Sequence, residues 1–332
     1  MKRFVNIYRF CGEYFRSLEI RKSTNTRKNY AYDLGVFFYF LKTNNPYFKD
    51  KDIHTLPIEV LDMITAMDVE EYLSYLESYT KDGKLYTNRE EGKARKLSSL
   101  KSFYDYYFKK NLIRTNPPRQ VDVPKIKNKN IIRLDPNEIA QLLDEAESGE
   151  KLSGRQLASH EKTKVRDVAI LTLLLGTGIR VSECVGLNLE DVDFNNGAIR
   201  IIRKGGNEAL IYFGDEVSQA LEAYMNGPRK TAEPAAGHEE ALFISLNKTR
   251  ITTRSVERLV KKYSRLVTTV KKITPHKLRS TFGTALYQET GDIYLVADTL
   301  GHKDVNTTKK HYAAIDEHRR RMAANVVKLR ES

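Results

Sequence analysis

Cysteine is scarce in this sequence, and long apolar runs are missing from it. Two cysteines among 332 residues, Cys11 and Cys184, cannot build a disulfide framework, and neither has a spacing typical of zinc ligands. No stretch reaches about 18 uncharged apolar residues, and the charged N-terminal segment lacks the apolar core of a secretory signal. We therefore expect a cytoplasmic protein in a reducing compartment, without membrane association.

The composition describes a globular protein with a positive excess. Hydrophobic residues make up 40% and charged residues 30%, which excludes a disordered tail or a collagen-like scaffold. The length predicts about two domains. Lysine and arginine total 56 against 43 aspartate and glutamate, for a net charge of +13. A basic face for nucleic acid is one interpretation of this charge, but ribosomal, chaperone-like and simply lysine-rich proteins share it.

The first hundred residues have the periodicity of amphipathic helices. Residues 26–41 place an apolar stripe at helical spacing, and Ser23 or Thr24 can cap the start of that helix. Residues 69–79 and 94–108 repeat the pattern. On the last of these segments, four polar residues surround the stripe, and a solvated face is their simpler interpretation: Arg95, Lys96, Ser99 and Lys101. We predict a helical domain over residues 1–116.

A change of character follows. Residues 117–132 combine Pro, Lys and Asn without an amphipathic period, which predicts an extended basic linker. A second domain, 133–332, begins with a helix capped at Asp135, and 166–176 predicts a buried helix. Residues 198–213 predict a β-hairpin and 242–245 a third strand, with helices from Thr253 onward. The predicted fold is mainly α with a small β-sheet.

One motif with chemical potential follows Thr274-Pro275. His276 and Arg279 lie one turn apart at the positive end of a predicted helix. A guanidinium binds two phosphate oxygens in a fork, and an imidazole beside it can move a proton. The motif is compatible with an anion site, although such pairs also occur by chance in basic chains.

A second motif joins two predicted helices through Gly176 and Gly178. Arg180 follows these glycines, and Glu183 lies one turn later. Two interpretations remain open: Arg180 binds an anion, or it forms a structural ion pair with Glu183. Lys204, in the predicted hairpin loop, can likewise approach a ligand or be merely solvated.

Taken in order, these elements resemble the tyrosine recombinase family, which includes Xer-type resolvases and phage integrases. The resemblance spans nearly the whole chain, because the segment from Ser23 to Leu34 and the helix at 94–108 resemble the family's helical core-binding domain. The elements of the second domain occur in the family's order: Gly178-x-Arg180-x-Ser182-Glu183, a hairpin Lys204, His276-x-x-Arg279, Leu300-Gly301-His302 and Tyr312. The resemblance implies a helical core-binding domain and a mixed α+β catalytic domain.

The resemblance also implies roles for the site residues. Arg180 and Arg279 would hold the scissile phosphate, and His276 would transfer a proton. Lys204 would be the general acid for the leaving 5′-hydroxyl. Two features depart from the family pattern: Tyr312 stands ten positions after His302 where many relatives have nine, and the residues after Lys204 lack the usual extra basic side chains.

The remaining roles complete a reaction that needs neither metal nor cofactor. Tyr312 would be the nucleophile that forms a 3′-phosphotyrosine. His302 would bond the phosphate, and Glu183 would support the site. The implied reaction cuts and rejoins DNA strands without ATP, and the sequence has no P-loop signature or evident metal-ligand cluster.

Double-stranded DNA with paired recombination sites is the implied partner. We expect a homotetramer or heterotetramer on DNA, and an accessory DNA-bending or directionality factor is a further candidate partner. Residues 313–329 resemble an amphipathic helix that relatives donate to a neighbouring subunit, although packing on its own domain carries equal weight. The predicted DNA contacts are Thr26, Lys28, Arg95, Lys96, Ser99, Lys125, Lys127, Arg254 and Lys277.

Two other functions stay open at this point. A type IB topoisomerase has a similar arginine, lysine and tyrosine site but only relaxes the strand that it cuts. A DNA-binding regulator could keep the fold without the chemistry, although the full set of polar site residues argues against that.

Overall fold

The computed structural model describes residues 11–49, 51–52, 56–126, 132–203, 205–302 and 305. The chain divides into two compact units, Met1–Asn128 and Lys129–Ser332. Within the described ranges, no helix has both the length and the hydropathy needed to cross a membrane.

The first unit is built from helices and one small hairpin. Its helices are α1 (Cys11–Glu19), α2 (Thr24–Asn44), α3 (Ala66–Tyr75), α4 (Glu90–Lys109) and α5 (Pro117–Gln120), with a 3-10 helix at Ile58–Met63. Strands β1 (Ser78–Lys81) and β2 (Lys84–Thr87) pair antiparallel between α3 and α4. The Ser23 hydroxyl caps α2 by accepting from the Thr26 N–H at 3.3 Å, which confirms the predicted cap.

Aromatic side chains fill the core of this unit. The Phe103 ring meets Tyr14, Phe38 and Tyr107 edge-on, with centroids 5.2 to 6.0 Å apart. The apolar stripe predicted on α4 is buried as expected: Leu97, Leu100, Phe103, Tyr104 and Tyr107. Edge-on rings pack without voids and bury large apolar areas, so these contacts hold α1, α2 and α4 together.

Two features of the first unit differ from the sequence predictions. The β1–β2 hairpin was not predicted, although Asp82 and Gly83 both have positive φ (52° and 72°), as a tight Asp-Gly turn requires. The predicted linker starts with a short helix, α5, because the fixed φ of proline suits the first two helical positions, which the buried Pro117 and Pro118 occupy. Residues 122–126 carry no regular secondary structure.

The second unit is mainly helical around a three-stranded antiparallel sheet. Its helices are α6 (Pro136–Ser148), α7 (Gly154–His160), α8 (Lys164–Thr177), α9 (Val181–Gly186), α10 (Asp215–Tyr224), α11 (Thr253–Val267), α12 (Pro275–Thr290) and α13 (Ile293–Leu300). Its strands are β3 (Val192–Asp193), β4 (Ala198–Ile202) and β5 (Glu208–Tyr212), in the order β3-β4-β5. The apolar α8 is buried against α6, α10 and α12.

The predicted hairpin is confirmed, and the predicted third strand is wrong. Ile199 pairs with Ile211 in the β4–β5 register, and both side chains are buried in the core. The third strand of the sheet is β3, whereas residues 242–245 contribute only an isolated bridge from Ile244 to Arg250. Residues 242–245 also lack the alternation of a half-buried strand, because Leu242 and Phe243 are both buried.

Candidate active site

Arg180 reaches the site through a glycine turn. Helix α8 ends at Gly178, whose φ of +62° is the left-handed conformation that favours glycine. A Cβ at Gly178 would also overlap the ring of Phe282 on α12. The turn therefore needs glycine on two counts, and it delivers Arg180 as the N-cap residue of α9.

The Glu183 carboxylate binds both the backbone and the guanidinium of Arg180. Its Oε2 accepts from the Arg180 backbone N–H at 2.6 Å, and its Oε1 accepts from Arg180 Nη1 at 2.8 Å. The Glu183 side chain is 3% exposed, whereas that of Arg180 is 35% exposed. The structural ion pair of Arg180 with Glu183, one of the two interpretations of the sequence, is therefore present. Part of the guanidinium remains exposed and can bind an anion.

Arg279 lies on the first turns of α12, one turn after His276. It is 6% exposed, and its Nη1 donates to the Gly178 carbonyl at 2.6 Å. Its Nη2 donates to the Leu300 carbonyl at the end of α13. His276 is exposed at the N-terminal end of α12, where the helix dipole favours a bound anion.

Arg180 and Arg279 both donate to backbone carbonyls at the C-terminal end of α13. Arg180 Nη2 donates to the Gly301 carbonyl at 3.1 Å, beside the Leu300 carbonyl that Arg279 contacts. Gly301 caps α13 with φ +60°, and the following His302 is half-buried and donates its backbone N–H to the Ala297 carbonyl. The structure therefore brings Arg180 and Arg279 to the α13 end beside His302, although Arg180 lies 99 residues before Arg279 and 122 before His302 in sequence.

Two predicted catalytic residues, Lys204 and Tyr312, lie outside the described residues. The residues beside Lys204 form the predicted tight loop, since Gly205 and Gly206 have φ of +106° and +86°. The Arg203 backbone N–H donates to the Asn207 carbonyl at 2.8 Å and closes the loop.

The sequence indicated no structural role for Arg203, whose guanidinium holds its proton too tightly to be an efficient acid. Its Nη2 donates to the Thr299 carbonyl at 3.2 Å and to the Asp298 carbonyl at 3.4 Å. Its position directly before Lys204 was the available signal, but no sequence pattern indicates a contact with a helix almost a hundred residues later.

Two observations limit the chemistry that the other described residues can supply. Burial raises the pKa of the Cys184 thiol to about 12, so this side chain stays a neutral thiol inside the core. Over the described residues, no cluster of three or more histidine, cysteine, aspartate or glutamate side chains could hold a metal ion.

Two of the predicted DNA contacts, Arg95 and Ser99, contact a buried carboxylate. Asp33, which is 2% exposed, pairs with Arg95 and accepts from the Ser99 hydroxyl at 2.7 Å. The Arg95 side chain remains 49% exposed. Ser99 is fully buried, so its hydroxyl stabilises α4 against α2 and has no exposed surface with which to meet DNA.

Lys96 is 8% exposed, and its Nζ donates to Asn88 Oδ1 at 2.6 Å. Burial lowers the pKa of its ammonium group. Its position favours a role in fixing the start of α4, which the sequence did not indicate. Thr26 is tied to Ser23 through their hydroxyls at 3.0 Å, and Lys28 is exposed on α2.

The other predicted DNA contacts are spread over the chain. Lys125 is exposed after α5, and Arg254 is exposed on α11. Lys277 is half-buried beside His276 on α12. Lys127 lies outside the described residues.

Comparison with known proteins places this site in a family. A model of the phage integrase family matches residues 132–319, which include every predicted catalytic residue. The tyrosine recombinase XerC of Syntrophus aciditrophicus (strain SB) is 33% identical over 304 residues, covering 90% of this chain and 90% of the relative. XerC of Caldanaerobacter subterraneus subsp. tengcongensis is 33% identical over 321 residues, covering 94% of this chain and 84% of the relative.

Solved structures show the same fold. The Tn1549 transposon integrase (residues 82–397), in complex with circular intermediate DNA, has a TM-score of 0.66 at 23% identity, with 94% of this chain and 98% of that chain covered. The XerH recombinase in its pre-cleavage complex with difH has a TM-score of 0.65 at 22% identity, with 90% and 78% covered. Because the family model matches more than half of the chain and the XerC relatives align along most of it, this protein belongs to the tyrosine recombinase family.

Proposed function

We propose that this protein is a site-specific DNA recombinase that cuts and rejoins strands through a 3′-phosphotyrosine intermediate. The observation that carries the proposal is the meeting of Arg180 and Arg279, from α9 and α12, at adjacent carbonyls of the α13 end. Two guanidinium groups held on adjacent carbonyls, with His276 one turn before Arg279, suit a single phosphodiester.

The arginine pair provides the electrostatic part of catalysis. Attack on a phosphodiester places additional negative charge on the non-bridging oxygens of a five-coordinate transition state. Donors that are already oriented stabilise this charge without reorganising during the reaction. Glu183 orients Arg180 through two hydrogen bonds, and the Gly178 carbonyl orients Arg279.

Strand cleavage and rejoining use Tyr312, His276 and Lys204. The Tyr312 hydroxyl oxygen attacks phosphorus as its proton passes to His276, and the bond from phosphorus to the 5′-oxygen breaks. Lys204 donates a proton to the departing 5′-oxygen. The phosphotyrosine ester keeps the energy of the broken bond, so a 5′-hydroxyl of another strand can reverse the step and release Tyr312 without ATP.

DNA binding is proposed to use both domains and the linker between them. The helical domain (1–116) contributes Thr26, Lys28 and Arg95, with Lys96 bracing α4. The linker (117–132) contributes Lys125 and Lys127, and the catalytic domain (133–332) contributes Arg254 and Lys277. A net charge of +13 supports this proposal, because phosphate contacts dominate the affinity of such proteins.

Assembly on paired sites is a separate part of the proposal. Solved structures of similar fold include complexes with DNA, among them a dimer of lambda integrase bound to a core site. We propose that four protomers, identical or of two kinds, act on two sites, and that residues 313–329 dock on a neighbouring protomer. An accessory DNA-bending or directionality factor would act on the same assembly.

A covalent trapping experiment tests the function. Duplexes that the full chain retains from a randomised library provide the binding site, and a nick placed in that site lets the fragment with the free 5′-hydroxyl diffuse away. We expect a denaturation-resistant protein–DNA adduct that disappears in Tyr312→Phe. Tyr294→Phe is the matched control, since Tyr294 is an exposed tyrosine on α13 and should leave the adduct intact.

The alternatives give different results. Tight binding with no adduct would contradict the proposal and indicate a regulator. An adduct accompanied by plasmid relaxation, but by no exchange between two sites, would indicate a type IB topoisomerase.

A further inference from the structure

The backbone N–H and carbonyl of Arg203 are both hydrogen-bonded within the β4–β5 loop. It directly follows β4, and its N–H donates to the Asn207 carbonyl at 2.8 Å while its own carbonyl accepts from Gly206 N at 3.0 Å. These two hydrogen bonds join both sides of the loop. Any force that anchors Arg203 therefore anchors the loop that contains the next residue, Lys204.

The Arg203 side chain supplies such an anchor on a distant element. Its Nη2 donates to the carbonyls of Thr299 and Asp298, at 3.2 and 3.4 Å, in the last turn of α13. The carbonyls of a helix C-terminus attract cations, so the guanidinium is placed where the helix dipole favours it. Its Nε is buried, so this side chain is turned into the protein.

Gly301 makes this contact possible. A Cβ at Gly301 would overlap the Arg203 guanidinium, and the φ of +60° already favours glycine there. The backbone of the α13 cap and the guanidinium thus pack in direct contact.

The same helix end holds the two site arginines. Carbonyls of Asp298 and Thr299 accept from Arg203, that of Leu300 from Arg279, and that of Gly301 from Arg180. Three guanidinium groups from separate parts of the second unit therefore contact four consecutive carbonyls. A displacement of Arg203 would change the position of the loop relative to the other two arginines.

We propose that Arg203 is a positioning residue that fixes the β4–β5 loop to the end of α13 and thereby aligns the Lys204 proton donor with the phosphate held by Arg180 and Arg279. This inference rests on the proposed function, because it assigns Arg203 a role in the protonation of the leaving 5′-oxygen. Arg203 acts through Lys204 and does not itself touch the substrate.

The test uses variants of Arg203 and of Arg200, which lies three residues earlier on β4. Arg203→Met removes the guanidinium and keeps an unbranched side chain of similar reach. Arg203→Lys keeps the charge but loses the planar fork. Arg200→Met is the matched control, since the described ion pairs of Arg200 on β4 are with Asp191 and Glu190, and none of them is with α13.

The measurement compares two nicked duplexes of the selected site. One has the ordinary 5′-oxygen at the cleaved bond, and the other has sulfur in its place. A thiolate departs without a proton donor, so the second duplex removes the need for the general acid. Adduct formation is followed in a single turnover at saturating protein, and DNA affinity is measured separately.

We expect Arg203→Met to slow adduct formation on the oxygen duplex by roughly 10- to 100-fold, a part of the usual contribution of a general acid. On the sulfur duplex its rate should match that of the unaltered protein within a factor of about three, the scatter expected when a substitution does not couple to the step that is measured. Arg203→Lys should show the same selective defect to a smaller extent. Arg200→Met should be unchanged on both duplexes.

Other outcomes overturn the inference. Equal loss on both duplexes would mean that Arg203 acts on the fold or on phosphate binding, and no loss on either would mean that the contact has no catalytic consequence. If Arg203→Met fails to fold, Arg203→Lys decides the question by the same ratio. Failure of the proposed function is distinguishable, because the unaltered protein would then form no adduct on either duplex.

Discussion

Replacement of Gly178 by alanine tests how the site is held between α8, α12 and α13. Two costs can be estimated from the structure. A φ of +62° costs an alanine roughly 1–2 kcal/mol relative to glycine. The new Cβ would also overlap the Phe282 ring and lie 3.0 Å from Leu300 Cδ2, and overpacking of this kind costs roughly 1–3 kcal/mol.

We expect Gly178→Ala to lower the free energy of unfolding by about 3 kcal/mol, which corresponds to a decrease in Tm of about 6–12 °C for a domain of this size. Adduct formation should also fall, because the Gly178 carbonyl accepts from Arg279. Far-UV circular dichroism is the suitable probe of unfolding, since the chain has no tryptophan.

The matched control separates backbone strain from packing. Gly237 has φ +80°, and a Cβ there meets no atom within 4 Å. Gly237→Ala should therefore cost only the backbone contribution, roughly 1–2 kcal/mol. If Gly178→Ala is no more destabilising than Gly237→Ala, the proposed packing of the glycine turn against α12 and α13 is refuted.

Three further predictions concern acid stability, DNA binding and assembly. Burial acts to raise the pKa of Asp105, but hydrogen bonds from Arg119 and Asn116 outweigh it and hold the pKa below 3.8. The ionised carboxylate therefore stabilises the folded state above pH 3.8, and this contribution is lost as the pH falls through the folded-state pKa. In Asp105→Asn, acid titration of unfolding should show less loss in that window, and an unchanged profile would contradict the assignment. Arg254→Ala should reduce the slope of log affinity against log salt by about 1, while Arg155→Ala, an exposed arginine on α7 outside the proposed contacts, should not; equal slopes for the two variants would remove Arg254 from the DNA interface. Truncation after Ala324 should spare binding to a single site and weaken assembly on paired sites in gel-shift assays, and unchanged assembly would argue against docking of the tail on a neighbour.

Local patterns in the sequence were sufficient for several elements. The period of α4 indicates which of its faces is buried, because a 3.6-residue repeat places Leu97, Leu100 and Tyr104 on one side of any helix. The Lys204-Gly205-Gly206 segment predicts the β4–β5 turn, because only glycine adopts its positive φ readily. These properties depend on near neighbours in the chain, which a sequence displays directly.

The ordered motifs also identified the family and its candidate residues. The three-residue spacings Arg180–Glu183 and His276–Arg279 each place two side chains one helical turn apart. The family model matches the region that contains them. The pairing of Arg180 with Glu183 was one of two open interpretations, and the geometry shows that the pair forms while the guanidinium stays partly exposed.

Only the tertiary structure decided which distant groups meet. Asp33 lies 62 residues before Arg95 and 66 before Ser99, and the packing of α2 on α4 buries Asp33 and Ser99 together while Arg95 stays half-exposed above them. The contact of Arg203 with the α13 carbonyls spans almost a hundred residues and depends on the absence of a Cβ at Gly301. The sequence by itself therefore determined helices such as α4 and α8, the glycine turns and the family, because these depend on local spacing, whereas the partners of each charged side chain depend on how the elements pack.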